Sequence, residues 1–142
     1  MDTSITNLSL SFKKLHELPD LSIYPNLEIL NCRCNVLTSL DNLPNNLQEL
    51  NCSNNQLTSL NNLPINLRIL SCSCNNLTSL DKLPSGLQEL HCRANQLTNI
   101  EYFPINLLKL YCGGNELTKL DDLPSTLQVL SCYGNKLKII YH

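Results

Sequence analysis

The sequence has no tryptophan, one methionine and only four glycines, and its aromatic residues are limited to five tyrosines and two phenylalanines. The scarcity of glycine excludes the glycine-rich loops that bind nucleotide phosphates, because Gly113 and Gly114 are the only adjacent pair. Net charge is also low, at -2. A charge this small excludes strong electrostatic attraction to nucleic acid or to an anionic membrane, so we predict neither as a partner.

Targeting signals are lacking as well. Residues 1–6 have neither the basic start nor the apolar centre of a secretory signal peptide. No apolar run approaches the roughly 20 residues that a membrane-spanning helix needs. We therefore expect an intracellular protein.

What the sequence does contain is one unit that recurs every twenty residues. The segment LPNNLQELNC at 43–52 is followed in turn by LPINLRILSC, LPSGLQELHC, FPINLLKLYC and LPSTLQVLSC. Each unit contains L-x-x-L-x-C-x-x-N-x-L, and six such units occupy residues 27–140. This is the pattern of leucine-rich repeats, with cysteine in the third apolar position.

Each unit predicts a short β-strand in which apolar residues such as Leu30 and Cys32 point inward and the residues between them point outward. Proline stands in the return segment at 44, 64, 84, 104 and 124 and excludes a regular helix there. Parallel strands joined in this way prefer right-handed crossovers. We predict a leucine-rich repeat solenoid, a right-handed curved stack of about seven parallel short strands, with a convex side that is extended or 3₁₀ and has little or no α-helix.

The N-terminal segment departs from the repeat pattern. Leu8 to Phe12 alternate as a strand does, and Phe12 stands twenty residues before Cys32, which predicts the same register with Leu15 in the asparagine position. Terminal repeats commonly differ from the consensus. We predict a single domain, 1–142, in which 1–26 is an atypical capping repeat, 27–140 are six repeats, and no C-terminal cap follows.

The repeated asparagines and cysteines are interpreted as structural. The asparagine amide of each repeat is expected to hydrogen-bond backbone groups of the neighbouring repeat. Cysteine behaves as a small buried residue in the narrow core, so the column at 32, 52, 72, 92, 112 and 132 reflects packing and not pairing. Cys34 and Cys74 point outward and lie two repeats apart, roughly 10 Å, which is beyond disulfide reach. Eight free thiols predict a reducing compartment.

No catalytic or metal-binding arrangement is evident. No nucleophile, base and orienting acid converge, and no second thiol pair or histidine converges on the Cys-x-Cys pairs to complete a zinc site. A mostly acidic column begins each return segment and is expected to accept backbone hydrogen bonds. It consists of Asp41, Asn61, Asp81, Glu101 and Asp121. We predict a protein that is not an enzyme and has no cofactor and no metal.

The unit, over residues 7–140, resembles the short leucine-rich repeats with a Leu-Pro-x-x-Leu segment that occur in bacterial effectors acting inside host cells. Its composition, which is rich in asparagine and places cysteine in the strand, is also similar to that of leucine-rich repeat proteins of giant DNA viruses of amoebae. The resemblance implies host cytoplasm as the location. Some of the bacterial proteins carry a ubiquitin-ligase domain after the repeats; we expect no such domain here, and ligase activity is not carried over.

The resemblance places function on the outward positions of the strands, the predicted concave surface, which we call the strand face. Its N-terminal half is small and polar, whereas its C-terminal half gathers residue types that are enriched in interface hot spots. The predicted partner-binding residues are Arg33, Glu89, His91, Arg93, Lys109, Tyr111 and Tyr133. The alternative is a surface that varies from repeat to repeat without a binding role.

The leading prediction is therefore a non-catalytic scaffold that binds a protein partner of unknown identity through the strand face. Two alternatives remain open. One is a structural or self-assembling protein that uses the ends of the solenoid, and the other is a substrate adaptor for a separate ubiquitin ligase.

The C-terminal end of the repeats predicts self-association. The last strand, 127–132, would leave backbone groups unpaired at a sheet edge beside an exposed cross-section of the core. A homodimer could cover both by pairing these strands about a two-fold axis. The predicted contact residues are Leu127, Leu130, Leu137 and Ile140. The alternative is a monomer in which residues 140–142 fold over as a minimal cap.

Overall fold

The computed structural model describes residues 1–138, in which seven short strands form one parallel sheet in chain order. The strands are β1 (Asn7–Ser9), β2 (Ile29–Asn31), β3 (Glu49–Asn51), β4 (Ile69–Ser71), β5 (Glu89–His91), β6 (Lys109–Tyr111) and β7 (Val129–Ser131). From β2 onward each residue pairs with the residue twenty positions later. The predicted leucine-rich repeat solenoid is confirmed, and residues 1–138 contain no helix.

The core is a stack of identical leucine and cysteine positions. The central leucine of each strand from β2 to β6 is at most 1% exposed, and its two strand neighbours lie on the strand face. Leu67, Leu70 and Cys72 of one repeat are all fully buried. Because every repeat fills the same positions, the buried leucines form continuous columns along the solenoid, and each repeat depends on its neighbours for burial.

Each return segment makes a tight turn directly after its proline. The Leu47 N–H donates to the Pro44 carbonyl at 3.2 Å, and the same bond recurs from Leu107 to Pro104 at 3.0 Å. These bonds close a four-residue turn that delivers the chain to the next strand. The return segments are therefore turns and extended chain, as the prolines predict.

The asparagine of each repeat forms hydrogen bonds with backbone groups of its own repeat and of the preceding repeat. Asn75 is 7% exposed, and its Oδ1 accepts from the Leu57 N–H at 3.0 Å. Its Nδ2 donates to the carbonyls of Cys52 and Cys72, each at 3.1 Å. Asn55, Asn95, Asn115 and Asn135 make the same set of bonds. The predicted asparagine ladder is confirmed.

All eight cysteines are free thiols. Burial raises the pKa of Cys32 to about 12 and that of Cys112 to about 11. Burial also raises the pKa of Cys72 well above the ordinary thiol value, and the neighbouring thiols of the column add to the shift. Protonated, buried thiols are poor nucleophiles, so the column fills space and does not react.

Cys34 and Cys74 lie outside this column, at the position directly before the ladder asparagine. Cys74 is exposed and Cys34 half-buried. Both have positive φ, 56° and 55°, and the same position holds Asn54, Ala94 and Gly114 in other repeats, also with positive φ. This left-handed residue turns the chain inward so that the next residue, the ladder asparagine, is buried.

The predicted register of the first repeat is wrong. β1 pairs Leu8 with Leu30, an offset of 22 residues and not 20. Phe12 therefore occupies the left-handed position, with a φ of 58°, and is 67% exposed instead of facing the core. Leu15 takes the position of Leu37, since its N–H bonds to Asn35 as the Leu37 N–H bonds to Asn55.

The acidic column does not accept the backbone bonds that the sequence predicted at its aspartates. The Asp41 carboxylate accepts from the Ser39 hydroxyl at 3.0 Å, and Asp81 accepts from Ser79 at 3.1 Å. Asp121 pairs instead with Lys119 at 3.1 Å. Within residues 1–138 no group of three metal-ligating side chains comes together. In this described part, no helix is long and apolar enough to span a membrane.

Candidate functional site

The parallel register brings four of the predicted binding residues into direct contact on β5 and β6. Glu89 lies opposite Lys109, and His91 lies opposite Tyr111. Because outward residues of adjacent strands share one face, each of these pairs forms side-chain contacts. Tyr133 and Arg93 follow β7 and β5 on the same side of the sheet, so the six side chains form one group, which we call the Arg93 cluster.

Glu89 is the ionic centre of the Arg93 cluster. Its Oε1 lies 2.8 Å from His91 Nε2, and its Oε2 lies 3.3 Å from Lys109 Nζ. Partial burial alone would raise the pKa of Glu89, but the hydrogen bonds from His91 and Lys109, together with their charges, outweigh it and lower the pKa. Glu89 is therefore ionised at neutral pH and holds both neighbours in place.

Aromatic contacts order the rest of the cluster. The rings of His91 and Tyr111 stack with centroids 4.5 Å apart and planes inclined by 16°. The Arg93 guanidinium carbon lies 4.8 Å from the Tyr111 ring centre and 5.8 Å from that of Tyr133. Cation–π contacts of this kind fix an arginine side chain while leaving its donors available for other partners.

Arg93 has few hydrogen-bond partners of its own. One terminal nitrogen donates to the Ser131 hydroxyl at 3.4 Å, a long bond. Its Nε is buried and has no partner among residues 1–138. None of the salt bridges in this part of the chain involves Arg93.

Two residues that the sequence did not single out shape the cluster. A Cβ placed on Gly113 would lie 2.8 Å from the Tyr133 ring, so the absence of a side chain there allows Tyr133 to fold back towards Arg93. Ser131 supplies the hydroxyl that Arg93 bonds. Gly113 could have been identified from the sequence, because the equivalent outward position of every other repeat holds a residue with a side chain.

Arg33 does not join the cluster. It follows β2, and β3 and β4 separate it from the strand that precedes Arg93. Its guanidinium instead lies 5.4 Å from the ring centre of Phe12. The predicted binding residues thus divide into the Arg93 cluster and a separate Arg33–Phe12 pair.

Three of the four predicted self-association residues, Leu127, Leu130 and Leu137, lie on or beside β7, the last strand of the described residues. Leu130 is 42% exposed, while its equivalents from β2 to β6 are buried. Leu127 and Leu137 are half-buried, and a groove of about 670 Å³ runs past Leu130, Cys132 and Leu137. Ile140 lies outside the described residues.

Several solved structures are similar to this chain. YopM from Yersinia enterocolitica is 37% identical over 90% of the chain (TM-score 0.84), and YopM from Yersinia pestis, a leucine-rich effector protein, is 33% identical over 94% (TM-score 0.89). A Shigella effector leucine-rich repeat domain is 29% identical over 97% (TM-score 0.88). The functional domain of InlJ from Listeria monocytogenes, described as including a cysteine ladder, is 30% identical over 98% (TM-score 0.70).

The chain spans only part of each of these proteins: 28% and 38% of the two YopM chains, 62% of the Shigella chain and 37% of the InlJ chain. No protein-family model matches the chain, and no curated protein matches it. The period, the sheet and these similarities agree with one another. The chain folds as a leucine-rich repeat solenoid, and its short repeats are similar to those of these bacterial proteins.

Proposed function

We propose that the chain is a non-catalytic scaffold that binds a protein partner through the strand face, with the Arg93 cluster as the centre of the contact. The observation that carries this proposal is the clustering itself: two tyrosines, an arginine and a histidine are in mutual contact on a rigid sheet. Tyrosine and arginine dominate the binding energy of many interfaces. The similarity to leucine-rich repeat effector proteins supports a protein-binding scaffold.

The geometry of the cluster reduces the entropic cost of binding. Arg93 is held between two rings, and His91 and Lys109 are held by Glu89, so few side-chain rotamers are lost when a partner docks. Tyr133 is 65% exposed and can bury most of its ring against a partner. A pre-organised aromatic surface of this kind suits a protein interface.

We propose further that this binding takes place in a reducing compartment, which is the host cytoplasm if the chain acts as an effector does. The support for this is the set of eight free thiols, two of which lie outside the buried column. Acting as a substrate adaptor for a separate ubiquitin ligase would be the same binding function with a ligase as the second partner.

Changing the tyrosines of the cluster tests the scaffold proposal. Tyr111→Ala and Tyr133→Ala are each expected to weaken partner binding by more than about 1 kcal/mol, a roughly fivefold loss of affinity, because each removes a ring from the centre of the contact. The partner is captured from lysate of the natural host with the wild-type chain, identified by mass spectrometry and then titrated against each variant. Neither change removes a buried core side chain, so the melting temperature should hardly move.

Tyr102→Ala is the matched control. Tyr102 is also an exposed tyrosine, at 74%, but it belongs to a return segment on the opposite side of the solenoid. Its variant should bind the partner as the wild type does. If the Tyr111 and Tyr133 double variant retains full affinity, the strand face is not the binding surface.

A second function, self-assembly through the C-terminal end, is favoured by the exposure of Leu130. Among residues 1–138, β7 pairs with β6 alone and leaves its other edge free. We propose that two copies meet there about a two-fold axis and pair their β7 strands antiparallel, covering Leu127, Leu130 and Leu137. Light scattering during gel filtration should then give twice the 16.0 kDa mass of one chain.

Two lysine substitutions on β7 locate this contact. Leu130→Lys places a charge in the proposed interface and should return the mass to that of one chain. Val129→Lys changes the neighbouring residue, which lies on the strand face, and should leave the dimer intact. A wild-type mass of 16.0 kDa over the whole dilution range would refute the dimer.

A further inference from the structure

Within residues 1–138, Arg93 is the one cation of its cluster that forms no salt bridge with an acidic side chain. Lys109 and His91 share Glu89, and elsewhere in residues 1–138 Lys119 pairs with Asp121 and Lys136 with Glu116. Among the described residues, the Arg93 guanidinium contacts two aromatic rings and donates one long hydrogen bond to a serine hydroxyl. A partly buried guanidinium without an acceptor has lost hydration that a protein acceptor has not replaced.

The Nε atom of Arg93 is a second donor that lacks an acceptor among the described residues. This atom is also buried. Nε and a terminal nitrogen together form the flat fork that a carboxylate accepts with both oxygens. The Tyr133 ring, whose centre lies 5.8 Å from the guanidinium carbon, is 65% exposed, so we expect it to move when such a group reaches Nε.

The net charge of the cluster indicates how much negative charge a bound group should carry. Arg93 and Lys109 are positive and Glu89 is negative, so these three side chains together carry a single positive charge in excess. One carboxylate would neutralise it. A phosphate group, which carries about -1.5 to -2 at neutral pH, would leave an excess of negative charge beside Glu89.

We propose that the Arg93 cluster is a receptor for a carboxylate side chain, an aspartate or glutamate in an acidic segment of the partner, which the Arg93 fork binds between the rings of Tyr111 and Tyr133. This rests on the proposed scaffold function and assigns the chemistry of its partner. The two tyrosine rings exclude water from around the ion pair and so strengthen it. The neighbouring Lys109 extends the positive potential to β6 for a second acidic residue of the same segment.

The chain offers an unusually direct test, because it contains only three arginines, Arg33, Arg68 and Arg93. In ¹⁵N-labelled protein each has its own Nε–H signal by NMR, assigned by changing each arginine in turn to lysine. The probe is the peptide acetyl-Gly-Glu-Gly-Glu-Gly-amide, and the neutral control is the same peptide with glutamine in place of glutamate. The Arg93 signal should shift saturably with the glutamate peptide and stay in place with the glutamine peptide.

Substitutions at the arginines distinguish recognition by the paired N–H donors of Arg93 from attraction by positive charge alone. Arg93→Lys keeps the charge but loses the planar donor pair, and should weaken peptide binding by roughly tenfold. Arg68→Lys is the control, because Arg68 is exposed, directly precedes β4 and lies outside the Arg93 cluster, and this variant should bind the peptide as the wild type does. An Arg93 signal that does not move, or three arginine signals that move alike, would overturn the proposal.

A phosphoserine version of the peptide separates the two sources of an acidic group. Binding of the phosphoserine peptide without binding of the glutamate peptide would also overturn the carboxylate assignment. Failure of this inference is distinguishable from failure of the scaffold. One outcome separates them: the Tyr111 and Tyr133 changes abolish partner capture, but the Arg93 signal does not shift with the glutamate peptide. In that case the scaffold proposal is supported and the carboxylate receptor is refuted.

Discussion

Replacing Asn75 by alanine is expected to lower the free energy of unfolding by about 3 kcal/mol, because it removes hydrogen bonds from the buried backbone of two repeats. The Leu57 N–H loses its side-chain acceptor, the Asn75 Oδ1 at 3.0 Å. The carbonyls of Cys52 and Cys72 each lose one of two amide donors and keep the other, from Asn55 and Asn95 respectively. An unsatisfied buried N–H accounts for most of the loss. Urea denaturation followed by circular dichroism measures it.

Asn76→Ala is the control for this prediction. Asn76 is the next residue and is exposed, and its backbone N–H bonds to the Leu57 carbonyl whatever its side chain. This variant should unfold within about 0.5 kcal/mol of the wild type, as surface substitutions usually do. If Asn75→Ala proves equally neutral, water satisfies the Leu57 N–H and the ladder is not a main source of stability.

The regular part of the fold followed from the sequence because each structural requirement falls on one residue type at one position. The ladder needs an amide with both a donor and an acceptor, which only asparagine supplies at that length in a tight turn. The narrow core needs a small apolar residue after the strand, and cysteine fills it. The proline ahead of each strand excludes a helix in the return. Six repetitions of these constraints left one architecture.

The first repeat could not be placed in the same way. Leu8, Leu10 and Phe12 alternate as a strand would, and alternation alone does not show where a strand ends. β1 ends at Ser9, and Phe12 is already in the left-handed turn. The two additional residues lie in the return segment after Leu15, because Leu15 matches Leu37 whereas the Leu27 N–H bonds to Tyr24 as the Leu47 N–H bonds to Pro44. Before them, Lys13 occupies the place of the ladder asparagine, so no asparagine marks the register. The error was therefore a shift of register by two residues, which preserves the inward and outward alternation.

For the candidate site, the sequence predicted the residues but not their contacts. The repeat period placed Glu89 beside Lys109 and His91 beside Tyr111, and the register confirms both pairs. The repeat period does not predict the direction of side chains that follow the end of a strand. The approach of Tyr133 to Arg93 depends on the missing side chain of Gly113, and the contact of Arg33 with Phe12 depends on the register of the first repeat. Both are departures from the consensus, which a repeat pattern does not describe.

The second large effect is expected at Leu90. Leu90 lies at the centre of β5 and is fully buried between the equivalent leucines of β4 and β6. Leu90→Ala should lower the free energy of unfolding by about 3–4 kcal/mol, since the cavity is enclosed by neighbouring repeats that cannot collapse into it. The measurement is again urea denaturation, with the slope of the transition compared with that of the wild type.

Leu130→Ala is the matched variant, with the same change at the equivalent position of β7. Leu130 is 42% exposed in a single chain, so its truncation should cost only about 1 kcal/mol at dilutions where light scattering gives the mass of one chain. The difference between the two variants measures how much each repeat depends on having a neighbour on both sides. Equal losses would mean that Leu130 is buried in solution, which would itself require something to cover the end of the stack.

Leu90 also connects stability with the proposed binding surface. It stands between Glu89 and His91, so a cavity behind β5 removes the support beneath the ionic centre of the Arg93 cluster. A repeat contacts only its neighbours, so the loss should remain local and the asparagine ladder near β2 and β3 should keep its hydrogen bonds. Hydrogen exchange of the Leu90→Ala variant should therefore show faster exchange at Cys92 and Leu110 and wild-type rates at Cys52. Faster exchange along the whole chain would show instead that the solenoid unfolds as one unit, and that the cluster is no less stable than the repeats that carry it.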